Sequence, residues 1–189
     1  RFLLRLYSFG RTGPKVFFFV NGGHGMNIYP SLEEARRFAA EGQYQVLPVS
    51  CEILSDFITP IEALRILKQV SSHCFLLESA LADDKWVRYP FLGIEPKLQI
   101  PCLDGEMQVG DIRFRTGDPA GYLRQILAQH RSPRLDRLPT FTGGLVGYFS
   151  YDYLGYQEPA ARCRVEDTED FQDVDVMLFD KVIAFDNLR

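Results

Sequence analysis

The chain is expected to fold as an α+β structure, mostly antiparallel sheet with a few packed helices. Three observations carry that expectation. Apolar segments of strand length recur along the chain, and the best-marked turns between them are two-residue Gly turns that join antiparallel neighbours. Helix-start signals occur at only three places. Crossover helices between every pair of strands are missing, so a doubly wound parallel sheet is not indicated. The composition can support such a core. Of 189 residues, 46% are hydrophobic and 13% aromatic, the profile of a folded globular chain rather than a disordered one.

The elements follow in order. Ser31-Leu32-Glu33-Glu34 is a capping box: the Ser hydroxyl can accept from the N–H three residues on, and Glu34 can reach back. Leu32, Ala35 and Phe38/Ala39 continue at helical spacing, and Gly42 suits the stop. Thr59-Pro60-Ile61-Glu62 repeats the device with Pro in the first turn. Ile61, Leu64, Ile66 and Leu67 give that helix a broad apolar side. Asp118-Pro119 opens a third helix, with Leu123, Ile126 and Leu127 expected inward. Strands are expected at Cys74–Glu78 and Tyr89–Ile94, then as a three-stranded meander from Gln99 to Arg115. Asp104-Gly105 suits a type I′ turn and Gly110-Asp111 a type II′ turn, because each puts Gly where positive φ is required. Ile112-Arg113-Phe114-Arg115 alternates, so one face is wet. Gly143–Tyr151, Val174–Leu178 and Val182–Phe185 complete the strands.

Several function classes recede on composition. The net charge of −4 argues against a nucleic-acid footprint. The longest apolar run, Val16 to Val20, is far short of the ~20 residues that span a membrane. Cys51, Cys74, Cys102 and Cys163 form no CxxC pair, which suits a reduced, cytoplasmic chain. His24, His73 and His130 are not at metal-ligand spacing, so no metal site is expected. The acidic run Glu166, Asp167, Glu169, Asp170, Asp173 and Asp175 lacks the Gly-centred loop of a calcium site and reads as solvated surface. Gly143-Gly144-Leu145-Val146-Gly147 lacks the endings of a phosphate loop; glycines inside a strand mark close backbone approach.

Residues 1–25 differ from the rest. They carry Arg1, Arg5, Arg11 and Lys15 and no acid. Their apolar stretch is too short for a secretory signal, and no cleavage pattern follows. Met26 is followed at once by a well-formed start of structure, and Gly22-Gly23 can be encoded by a purine-rich ribosome-binding sequence. Residues 1–25 are therefore expected to be translated upstream sequence or a disordered arm, and residues 26–189 the folded region.

One segment suggests ligand chemistry. Phe75-Leu76-Leu77-Glu78-Ser79 is an apolar strand that delivers a carboxylate and a hydroxyl together at its exit. The carboxylate offers charge to an amine and Ser a short hydrogen bond. Arg88, nine residues on, can hold a carboxylate, so the three would suit an amino acid. The competing reading is a polar strand end at the surface.

Longer stretches carry a family resemblance. Met26-Asn-Ile-Tyr-Pro-Ser-Leu-Glu-Glu-Ala-Arg-Arg, Leu47-Pro48-Val49-Ser50 and Thr59-Pro60-Ile61-Glu62-Ala63-Leu64 come first. Ser72-His73-Cys74-Phe75-Leu76-Leu77-Glu78-Ser79 is the most specific, reinforced by Arg88-Tyr89-Pro90-Phe91-Leu92-Gly93. Gly143 to Asp152 and Phe179 to Asp186 follow in order. Together they resemble the N-terminal region of anthranilate synthase component I, a chorismate-binding enzyme. The resemblance implies an incomplete part of a layered α/β fold and a regulatory and scaffold role in tryptophan biosynthesis. The family's large subunit is a lyase that makes anthranilate from chorismate and ammonia, the ammonia coming from glutamine through a partner amidotransferase subunit. It also implies that Glu78, Ser79 and, less directly, Arg88 contribute to a tryptophan feedback site. The family's catalytic residues and its magnesium lie in a C-terminal half beyond this chain. No catalytic residue and no cofactor is therefore expected here, and the fragment alone is expected to be inactive. The alternatives are a fragment of aminodeoxychorismate synthase component I, or a non-catalytic amino-acid-binding module.

Overall fold

A computed structural model describes residues 2–8, 27–53, 55, 58–78, 88–161 and 171–187, with the backbone alone for 2–8. The chain runs β1 (Phe2–Ser8), β2 (Ile28–Tyr29), α1 (Leu32–Glu41), β3 (Val46–Cys51), α2 (Pro60–Leu67), β4 (Cys74–Leu77) and β5 (Phe91–Ile94). It continues with β6 (Leu98–Leu103), β7 (Glu106–Val109), β8 (Ile112–Arg115), α3 (Pro119–Ala128), β9 (Gly144–Phe149) and α4 (Leu154–Gln157). A 3₁₀ turn at Pro159–Ala161, β10 (Val174–Phe179) and β11 (Lys181–Ala184) close it. Every described strand pair is antiparallel, as expected. The residues divide into two compact units, Arg1–Pro96 with His130–Gly143 and Asp180–Arg189, and Lys97–Gln129 with Gly144–Phe179.

The first unit is a six-stranded sheet in the order β2-β3-β1-β11-β5-β4. Its middle is apolar on both faces because the side-chain period is two. Phe91, Val182 and Ala184 share one face with Phe75, Tyr89, Leu138 and Phe141. Leu92 and Phe185 share the other with Ala63, Leu64 and Leu67 of α2. Leu92 is wholly buried, a placement worth about 2 kcal/mol for one such side chain. Both capping boxes form. Ser31 Oγ accepts from Glu34 N–H at 3.2 Å while Ser31 N–H donates to Glu34 at 2.8 Å. Thr59 Oγ1 and Glu62 repeat the exchange, and Gly42 closes α1 at φ 67°. The shared hydrogen bonds with Ser31 and Thr59 hold the Glu34 and Glu62 carboxyls below the usual range.

The second unit is a five-stranded sheet in the order β8-β7-β6-β10-β9. Its single core gathers Ile100, Cys102, Met107, Val174, Val176 and Leu178 with Leu123 and Ile126 of α3. Asp104 (φ 47°) and Gly105 (φ 78°) make the first meander turn, and Gly110 (φ 59°) starts the second. Asp118 caps α3 by accepting from Gly121 N–H at 2.9 Å. Gly147 sits opposite Val176, and a Cβ there would overlap the Asp175 carbonyl oxygen. That close approach is the reason for the strand glycine.

The backbone of Phe2–Ser8 lies between β3 and β11. Residues 9–26 lie outside the described residues. Three expectations change. β3 was missed because Pro48 interrupts it, and a proline argues against an interior strand when sequence is read alone. Ile61, Ile66 and Leu127 are exposed; Ala63, Leu64 and Leu67 face the core of α2, and Leu123 and Ile126 that of α3. Asp173, taken as solvated, is buried. It accepts from Tyr156 OH at 2.6 Å and from Asp104 N–H at 2.8 Å. Glu166, Asp167, Glu169 and Asp170 lie outside the described residues.

Candidate functional site

The strand that leads into Glu78, β4, lies at one edge of the six-stranded sheet. What fixes it there is a cross-strand fit. Phe75 stands opposite Gly93, and its ring occupies the space where a Gly93 side chain would be. The same ring meets Phe141 edge-on at 6.1 Å, and Phe141 meets Phe91 at 5.4 Å. Cys74↔Ile94 to Leu77↔Phe91 then follow in register. The two segments singled out in the sequence are thus paired neighbours, and the 78–90 connection leaves and re-enters the sheet at adjacent strands.

Glu78 is exposed at the exit of β4. Ser79 and residues 80–87 lie outside the described residues. Arg88 stands at the other end of the connection. Its Nε donates to Asp186 Oδ1 at 2.9 Å and its Nη2 to Asp186 Oδ2 at 2.7 Å. Its guanidinium also lies over the Tyr89 ring at 4.8 Å. The hydrogen bonds that Arg88 donates to Asp186 raise its pKa above its ordinary value. The Asp186 side chain is only 1% exposed, against 34% for Arg88. Sequence reasoning missed Asp186, because no local signal ties it to a residue 98 positions away.

The remaining sequence candidates resolve as follows. His73 Nδ1 and Ser72 Oγ are 2.9 Å apart. Cys102 is buried and Cys51 and Cys74 half-buried; burial pushes the Cys51 and Cys102 thiols up, away from nucleophilic character. Cys163 and His24 lie outside the described residues. Among the described residues, no group of three or more His, Cys, Asp or Glu side chains could hold a metal ion. No helix among them is long and apolar enough to cross a membrane.

Fold and register define the class first: an α+β chain whose Phe-Leu-Leu-Glu and Arg-Tyr-Pro-Phe-Leu-Gly segments pair at a sheet edge. No protein-family model matches the chain. Individual proteins do. It is 32% identical over 166 residues to anthranilate synthase component 1 of Acetivibrio thermocellus, covering 86% of this chain and 33% of that protein. The Pseudomonas aeruginosa protein of the same name is 35% identical over 162 residues, 82% of this chain and 32% of the relative. A crystal structure of anthranilate synthase component I from Streptococcus pneumoniae aligns over 72% of this chain and 29% of that one, at 27% identity and a TM-score of 0.47. The chain is a homologue of anthranilate synthase component I, as its motifs led one to expect. It spans about one third of the length of these curated relatives.

Proposed function

We propose that the chain is the regulatory and scaffold region of an anthranilate synthase component I in tryptophan biosynthesis. In this reading the whole enzyme converts chorismate and ammonia to anthranilate, with ammonia delivered from glutamine by an amidotransferase subunit. The chain carries part of a tryptophan feedback site at Glu78 and Ser79, with Arg88 at the far end of the same connection. The supporting observation is the pairing of β4 with β5, which puts both ends of residues 78–90 at one sheet edge. A carboxylate and a hydroxyl at a strand exit suit the amine and polar hydrogens of an amino acid.

Chemistry on chorismate is assigned to the part of the enzyme beyond this chain. Magnesium belongs with that part too. The described residues offer it no donor cluster, so no step here passes through it. The cytoplasm is the proposed location. The reading is tested by supplying chorismate and ammonia and following anthranilate fluorescence. The 189-residue chain alone is expected to give none, and the complete enzyme a tryptophan-sensitive rate. Anthranilate made by the chain alone would overturn the assignment of its role, and a 4-amino-4-deoxychorismate product from the complete enzyme would overturn the choice of enzyme.

A further inference from the structure

We draw no further inference here: the strongest candidate, the exposed apolar patch of Tyr148, Phe149, Tyr151, Leu154 and Phe171 beside β9 at one edge of the five-stranded sheet, carries nothing because nothing in the structure shows what covers it.

Discussion

The two units are built on different principles. The unit of Lys97–Gln129 and Gly144–Phe179 has one core, and its β6-β7-β8 meander pairs residues only a few positions apart. The other unit has two smaller clusters, one on each face of β5 and β11, and its central strands come from distant parts of the chain. The β6-β7-β8 meander is assembled by local turns, whereas β10 and most strands of the other unit pair with partners brought together from afar. The difference matters because the candidate ligand residues belong to the second kind. Their geometry depends on long-range register: Phe75 on Gly93, and Arg88 on Asp186.

The sharpest way to break this contrast is Gly147→Ala. The new Cβ would meet backbone of β10, which has no rotamer to escape into. A loss of about 3 kcal/mol or more is expected, from overpacking that only backbone movement can relieve. Native-state hydrogen exchange should show it first in β9 and β10, with β5 and β11 less affected. Equal loss in both sheets would erase the distinction between the units.

Tyr156→Phe probes the polar fastening that ties the first meander turn to Asp173. Tyr156 OH donates to Asp173 and accepts from Gly105 N–H at 2.6 Å, so its removal leaves two buried groups short of a partner. A loss of about 1–3 kcal/mol in urea unfolding is expected. Burial, then the bond to Asp173, pushes the Tyr156 pKa well above its ordinary value of 10.0. The folded state thus keeps a proton that the unfolded chain releases, and stability falls as pH rises above about 10. Phe at this position should remove that part of the alkaline loss, read from Tm against pH.

The smallest expected effects concern the two capping boxes. Thr59→Ala frays α2, which carries Ala63 into the core, and should cost about 1 kcal/mol globally. Ser31→Ala frays α1, which buries no residue, and should cost about 0.5 kcal/mol. Circular dichroism melts of the two variants check the order.

The same contrast explains what could be read in advance. Asp104-Gly105, Gly110-Asp111 and the boxes at Ser31 and Thr59 are local chemistry, and each forms where expected. Leu127 and Ile61 turned outward because helical spacing gives a stripe but not which edge of it meets the sheet. Asp173 hid within an acidic run because its partners, Tyr156 and Asp104, are fixed by the fold. For the candidate site, the two motif segments were visible as strands. That they are neighbours, and that Arg88 faces Asp186, required the register of a sheet whose strands are far apart in sequence.

The central claim is that the edge of the six-stranded sheet carries an amino-acid regulatory site. Its most direct test is the tryptophan inhibition constant of the complete component I enzyme, wild type against Ser79→Ala, with chorismate and ammonia as substrates. Loss of one well-placed hydrogen bond to the ligand should weaken inhibition by about tenfold to a hundredfold. An inhibition constant that does not move would contradict the claim.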